Sequence, residues 1–179
     1  MVNQWAKIGL KKIVKDESYI TVFDLYFAGM YSRQEASRLR KQFWTSFGQY
    51  MRPVMGAGGE PVNWLNYKTG IKHIYFRMDA DTKGASIAIE LRHTAMHLQQ
   101  EFFEQFQQVK NILEQLVGEK WNWQLHITDE DGNRVSRIGT YLTNVNLFNN
   151  KDWPVIISFL KPRIIALDEF WSLVKEGFQ

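Results

Sequence analysis

The sequence contains no cysteine. A chain without cysteine has no disulfide, no thiolate nucleophile and no cysteine-ligated zinc site, so these classes of chemistry are excluded. The absence suits a reducing compartment, and the cytoplasm is therefore the expected location.

Uninterrupted apolar runs long enough to span a membrane are also missing. Asp24 interrupts the apolar run from Tyr19 to Ala28, and Lys161 ends the run that begins at Val155. A membrane-spanning helix needs about 20 apolar residues. The N-terminus lacks the continuous apolar core of a signal peptide as well. We therefore expect no membrane association.

A strong excess of one charge is absent. The chain has 22 Lys and Arg residues against 19 Asp and Glu residues, which leaves a formal charge of +3. This mildly basic balance is compatible with DNA or RNA as a partner, but it lacks the dense basic stripes of a dedicated nucleic-acid binding protein. Charge alone therefore favours no partner.

Apolar and aromatic side chains are plentiful. Hydrophobic residues make up 45% of the 179 residues, and the chain has seven Trp, seven Tyr and twelve Phe residues. A chain of this length can bury a sizeable core as one domain. We expect residues 1–31 to form an N-terminal extension and residues 32–179 to form a single α+β domain.

Helical periodicity appears in three segments. Ser32 and Glu35 form a capping-box pattern that predicts a helix start at Ser32. A second helix is predicted from about Ala95 to Gly118. The last helix is predicted from about Asp152 to Gly177, apolar over much of its circumference, with Pro162 kinking or dividing it. Tyr19 to Phe23 has the composition of a strand.

Alternating apolar and polar residues predict the strands. They favour a mainly antiparallel sheet flanked by helices, in the order helix, three strands, helix, strands and helix. The predicted strands are Val62 to Tyr67, Ile71 to Asp79, Ala85 to Arg92, Trp121 to Ile127, Val135 to Ile138 and Val145 to Phe148.

Two registers are compatible with the second and third of these strands. Both registers keep the apolar residues of the two strands on the same face of the sheet. A register shifted by one residue is excluded, because it would turn the apolar residues of one strand to the opposite face. A two-residue turn at Lys83 and Gly84 would bring Asp79 diagonal to Glu90. A longer loop would pair Asp79 with Ser86, and Lys is a poor first residue for a tight primed turn, which favours the longer loop.

Polar residues alternate with the apolar ones and are expected to share one sheet face. Such a face could bind an anionic or aromatic ligand, although antiparallel sheets commonly leave one face in water without any function. The predicted binding residues are His73, Tyr75, Arg77, Gln124 and His126, beside Glu90 and Arg92.

The predicted order also resembles the layout of PD-(D/E)xK nucleases. That resemblance would make Asp79, Glu90 and Arg92 the catalytic positions, with Asp79 and Glu90 holding Mg²⁺ or Mn²⁺; no other cofactor is expected. Arg92 stands where those enzymes have Lys, and arginine cannot cycle as a base. In the longer-loop register Asp79 and Glu90 would be too far apart to share an ion. A structural ion pair of Glu90 with Arg77 or Arg92 is the alternative.

Several aromatic motifs occur along the chain. They are Ser32 to Glu35 leading to Phe43 and Trp44, Asn63 to Gly70, Tyr75 to Asp79, and Pro162 to Trp171. Together they resemble a bacterial family, the domain of unknown function catalogued as 4268, which is common in Bacteroidetes. The likeness covers roughly residues 31–178. It implies an association with DNA processing or defence, because family members occur alone or downstream of a nuclease-like domain.

The sequence therefore favours a non-catalytic binding or accessory domain that contacts nucleic acid. A metal-dependent nuclease, intact or degenerate, is the first alternative. A homodimerisation module, with the last helix or the N-terminal segment as the contact, is the second. Whether the chain is an enzyme stays open at this point.

Overall fold

The computed structural model describes the backbone of residues 22–178 and the side-chain surroundings of residues 33–178. Within this range the main elements follow the order α1, β1, β2, α2, α3, β3, β4 and α4. The helices are α1 (Val22–Met51), α2 (Met96–Gln108), α3 (Lys110–Val117) and α4 (Trp153–Val174). The strands are β1 (Ile74–Ala80), β2 (Gly84–Leu91), β3 (Asn122–Thr128) and β4 (Arg134–Thr143).

The four described strands form one sheet in the order β1, β2, β4, β3. Each neighbouring pair is antiparallel, and β2 and β4 occupy the centre. The predicted α+β class, with an antiparallel sheet and packed helices, is confirmed.

The register of β1 and β2 is the longer-loop alternative. Asp79 pairs with Ser86, and Ala80 pairs with Ala85. The carboxylate of Asp81 explains the turn, because its Oδ1 accepts hydrogen bonds from the backbone N–H groups of Lys83 at 2.6 Å and Gly84 at 3.0 Å. An aspartate that binds the backbone two residues ahead is a frequent turn former.

One face of the sheet, called the inner face here, lies against the helices. Its apolar side chains and those of all four described helices form a single core cluster. Aromatic rings fill the centre of this cluster, where the Phe106 ring lies 6.1 Å from Trp171 and 4.4 Å from Phe178. The inner-face members are Ile74, Phe76, Ala80, Ala85, Ile87, Ile89, Leu91 and Ile138.

Helix α4 is continuous across Pro162, so of the two predicted effects division of the last helix is wrong, and a kink stays a prediction. Pro162 is exposed, so the carbonyl group that loses its hydrogen bond to the proline nitrogen lies on a helix face that solvent can reach. The apolar circumference of α4 is explained within this chain, because most of its apolar side chains are buried in the core cluster.

The N-terminal predictions fail around Ser32. Helix α1 already runs through this residue from Val22, so Ser32 is not a helix start. The carboxylate of Glu35 pairs instead with Arg38 at 2.8 Å. Val22 and Phe23, predicted as the end of a strand, are helical, and residues 19–21 of that prediction lie outside the described residues.

Three further predictions need correction. The segment predicted as a strand from Val62 to Tyr67 forms a 3-10 turn at Trp64–Asn66, because the Asn63 side chain accepts the Asn66 N–H and curls the backbone. The single helix predicted from Ala95 is two helices, α2 and α3, separated at Val109. Val145 to Phe148 is not a strand, and β4 is longer than predicted because it pairs with β2 along its length.

The predicted boundary between residues 31 and 32 falls inside α1. The division into an extension and a domain stays a prediction. No helix in the described part of the chain is long and apolar enough to cross a membrane.

Candidate functional site

The second face of the sheet, called the outer face here, carries the polar residues. Among the described residues, no side chain of this face belongs to the core cluster. Because directly paired residues of neighbouring strands point to the same side, the pairing places them in three rows. These rows are Tyr75, Glu90, Arg137 and Gln124; then Arg77, Ala88, Gly139 and Asn122; then Asp79, Ser86 and Tyr141.

Glu90 is the buried acid of the outer face, with 5% of its surface exposed. Its Oε1 accepts hydrogen bonds from Nε of Arg137 at 3.1 Å and Nη2 of Arg137 at 2.6 Å. Its Oε2 accepts a hydrogen bond from Nη1 of Arg92 at 2.8 Å. Both oxygens are therefore used by arginines. A buried carboxylate needs such partners, because an unpaired buried charge is very costly.

The ion pairs continue from Arg92 to the hairpin between β3 and β4. Nη2 of Arg92 donates to Oδ2 of Asp129 at 2.6 Å. Burial favours a lower pKa for Arg92, but the hydrogen bonds and charges of Glu90 and Asp129 outweigh it and raise the pKa. Arg92 therefore stays protonated. It can act as a structural cation, but it cannot act as a general base. The predicted pairing of Glu90 with Arg92 is present, and no ion pair joins Glu90 to Arg77 among the described residues.

The structure does not bring the two predicted metal ligands together. Glu90 pairs with Tyr75, four residues before Asp79 on β1. At about 3.3 Å per residue the separation along the strand is roughly 13 Å, too far for one ion to contact both carboxylates. Asp79 instead accepts a hydrogen bond from Nη1 of Arg40 at 3.2 Å. The described residues contain no group of three or more His, Asp or Glu side chains arranged to hold a metal ion.

Two of the predicted binding residues lie away from the outer face. His73 and His126 have φ angles of 67° and 52°, and this left-handed backbone breaks the alternation of the strands. The His73 ring lies 5.0 Å from the ring of His93. Nε2 of His126 lies 3.1 Å from the carbonyl oxygen of Met96, at the start of α2. Both histidines therefore lie on the side of the helices.

Tyr75, Arg77 and Gln124 lie on the outer face as predicted. The guanidinium carbon of Arg77 is 4.9 Å from the centre of the Tyr75 ring, which is cation–π geometry. Sequence reasoning missed Arg137 and Tyr141. Their positions depend on the pairing of β2 with β4, which are not consecutive strands, and no local pattern reveals that pairing.

His93 occupies a buried aromatic position between the sheet and α2. Its ring stacks on Phe102 at 4.5 Å and 13°, and 5% of the residue is exposed. Among the described residues its Nδ1 has no hydrogen-bond partner. Burial lowers the pKa of His93, and the neighbouring His73 lowers it further.

Acidification is expected to destabilise the fold through His93. In the unfolded chain this residue takes up a proton near its ordinary pKa of 6.5, whereas the folded state keeps it neutral to lower pH. The unfolded state therefore binds more protons below that pH, and stability falls as pH falls. Urea unfolding at pH 7 and pH 5 measures the difference.

The variant His93→Phe should reduce this pH dependence, because Phe stacks in the same position without titrating. His97→Phe, at an exposed histidine of α2, is the matched control and should leave it unchanged. An unchanged pH dependence in His93→Phe would refute the assignment.

A second buried acid, Asp168, lies on α4. Its Oδ1 accepts a hydrogen bond from the hydroxyl of Tyr67 at 2.6 Å, and its Oδ2 accepts one from the N–H of Ala57 at 2.6 Å. Burial raises the pKa of Tyr67, and Asp168 raises it further. The sequence contains one signal for this site, because Asp168 interrupts the apolar stretch of the last helix.

Asp168 joins two of the segments that carry the family resemblance. Tyr67 belongs to the segment from Asn63 to Gly70, and Asp168 belongs to the segment from Pro162 to Trp171. Nε1 of Trp171 also donates to the carbonyl oxygen of Thr69 at 2.8 Å. These motif residues therefore hold the fold together on the inner side of the sheet, away from the outer face.

Comparison with known proteins adds a family and no activity. Neither the curated proteins nor the solved structures compared with the chain gave a match. The family model described as Domain of unknown function (DUF4268) matches residues 39–175. The match includes the whole sheet, the Asp168 site and α2 to α4, and the chain belongs to this family.

Proposed function

We propose that this chain is a non-catalytic binding or accessory domain that contacts nucleic acid through the outer face. The observation that carries the proposal is Arg77. It is exposed, it lies over the ring of Tyr75, and no acidic side chain pairs with it among the described residues. An arginine of this kind is suited to a phosphate, which it can bind through two parallel hydrogen bonds.

Arg137 supports the same proposal. A guanidinium has five N–H donors, and Arg137 uses only its Nε and Nη2 atoms on Glu90. The side chain is 38% exposed, so its other donors are accessible to a ligand. Glu90 holds this arginine in one orientation, which lowers the entropy that binding would cost.

The acids of the outer face favour a binding role over a catalytic one. Both oxygens of Glu90 accept hydrogen bonds from arginines, and Asp79 pairs with Arg40. Neither carboxylate is positioned to share a metal ion with the other. The geometry therefore gives the nuclease alternative no specific support.

Arg77→Ala is expected to weaken nucleic-acid binding. The loss of one charge-assisted contact of about 1.5 to 3 kcal/mol corresponds to roughly tenfold or more in affinity at low salt. The slope of log K against log salt should fall by about 0.7 to 0.9 for the lost phosphate contact. Fluorescence anisotropy with labelled single-stranded and duplex oligonucleotides over a salt series measures both quantities.

The control is Arg38→Ala, which removes an exposed arginine of α1 that is already paired with Glu35. This variant should bind like the wild type. Absence of binding to every oligonucleotide at low salt would contradict the proposal. An equal loss in Arg38→Ala would show a non-specific charge effect and would contradict it as well.

A further inference from the structure

We infer that the outer face binds single-stranded nucleic acid in preference to duplex, with an unpaired base stacked on Tyr141. This inference rests on the proposed function and narrows its ligand. Tyr141 is the most exposed aromatic residue of the described strands, with 51% of its surface accessible.

The hydroxyl end of the Tyr141 ring lies over Gly84. A Cβ atom at Gly84 would lie 2.6 Å from Cζ and 2.6 Å from the hydroxyl oxygen of Tyr141, so this end of the ring occupies space that a side chain would otherwise fill. With its hydroxyl end supported in this way, Tyr141 remains half exposed. A supported ring of this kind is a stacking platform for a base, and every base has a face that can stack on it.

Amide side chains stand at the other side of the outer face. Asn122 lies across β4 from Ala88, because both residues pair with Gly139. Gln124 lies beside Arg137 in the neighbouring row. No hydrogen bond among the described residues uses the side-chain amide of Asn122 or Gln124, so both are available to the edge of a base. Such edges become fully accessible when the base is unpaired.

The shape of the outer face disfavours duplex. Recognition of B-DNA usually inserts a helix or a two-stranded ribbon into the major groove. The four described helices contribute side chains to the core cluster of the inner face, and α1 reaches the outer face through Arg40, which is already paired with Asp79. The hairpin between β3 and β4 is a two-stranded ribbon, but its turn carries the exposed residues Glu130 and Asp131. Their carboxylates would meet the phosphates of a duplex with like charge.

The charge of the outer face also favours a single strand over a duplex. Arg92 and Arg137 are matched by Glu90 and Asp129 in one network of ion pairs. Among the described residues of the outer face, Arg77 is the cation with which no acidic side chain forms an ion pair. Tight duplex binding without base contacts depends on many phosphate contacts. A single strand adds stacking to the few contacts that are present.

The test compares one labelled oligonucleotide of mixed sequence as a single strand and as a blunt duplex, by fluorescence anisotropy with the full chain at low salt. We expect the single strand to bind at least tenfold more tightly. Tyr141→Ala should lose about tenfold for the single strand, in line with roughly 1 to 3 kcal/mol for one stacked base. Tyr141→Phe keeps the ring and should bind like the wild type.

Tyr50→Ala is the matched control, because Tyr50 is 52% exposed and lies on α1. It should change neither affinity. Equal or tighter binding of the duplex would overturn the inference while leaving the proposed function in place, and so would an unaltered single-strand affinity in Tyr141→Ala. Failure of both forms to bind would overturn the proposed function as well.

Discussion

Glu90→Ala is expected to lower the free energy of unfolding by about 3 kcal/mol. The substitution removes the acceptor shared by Arg92 and Arg137, and both guanidinium groups then lose a partner at once. Their side chains are 26% and 38% exposed, so water can replace part of the lost interaction. The loss should therefore lie at the lower end of the range for a broken buried ion pair. Urea unfolding measures it.

Glu90→Gln separates the charge of this residue from its shape. Glutamine fills the same space and can still accept a hydrogen bond, so an intermediate loss is expected. Glu35→Ala is the control for removal of a carboxylate, because the Glu35 side chain is 61% exposed and its pair with Arg38 contributes little.

The same variants test the metal alternative. Mn²⁺ should leave the unfolding midpoint of the wild type unchanged, because Glu90 is saturated by arginines and Asp79 lies far from it. Stabilisation by Mn²⁺ that disappears in Glu90→Gln would contradict the structural role of Glu90 and would restore a metal site.

Asp168→Ala is expected to cost about 3 kcal/mol, because a buried donor left without its partner costs roughly 1 to 3 kcal/mol. Two such donors depend on Asp168: the hydroxyl of Tyr67 and the N–H of Ala57. Asp168 is 7% exposed, so water cannot readily replace the carboxylate. Chemical unfolding of the variant beside the wild type measures the loss.

Asp168→Asn and Tyr67→Phe resolve the two contacts. Asparagine can still accept from Ala57 while its amide faces the Tyr67 hydroxyl, so a smaller loss is expected. In a double-mutant cycle Tyr67→Phe should cost less in the Asp168→Ala background than alone. Additive losses would show that the two residues do not interact.

Tyr67 also predicts a loss of stability in alkali. The unfolded chain releases the phenolic proton near the ordinary pKa of 10.0, whereas burial and Asp168 keep the folded residue protonated. The folded state therefore binds more protons above that pH, and stability falls as pH rises. Tyr67→Phe should reduce this alkaline loss.

Local patterns predicted the hairpin of β1 and β2 well. The alternation in β1 and β2 assigned the inner face, and the poor turn propensity of Lys83 favoured the register that pairs Asp79 with Ser86. Each of these inferences depends on residues close together in the chain. For that reason a single sequence carries enough information to make them.

Local patterns misled where tertiary contacts decide. Ser32 and Glu35 satisfy the capping-box pattern, yet the helix runs through Ser32, because a short motif does not exclude a longer helix. Tryptophan is common in strands, but Trp64 lies in a 3-10 turn, where its indole N–H donates to the carbonyl oxygen of Val54 at 2.9 Å. Propensity is a weak guide against such contacts.

The candidate site was predictable only in part. Tyr75 and Arg77 follow from alternation within one strand. Arg137 and Tyr141 required the pairing of β2 with β4, across a connection that includes α2, α3 and β3. His73 and His126 required knowledge of their left-handed backbone, which non-glycine residues seldom adopt.

The central claim is that the outer face is the nucleic-acid binding surface. A ¹H–¹⁵N NMR titration of the full chain with a single-stranded oligonucleotide at low salt tests it most directly. The account predicts that the largest shifts fall on outer-face amides, including Arg77, Gly139 and Tyr141. It also predicts little change near Ala57 and Asp168. Shifts concentrated around Asp168, or no shifts at saturating oligonucleotide, would contradict the account.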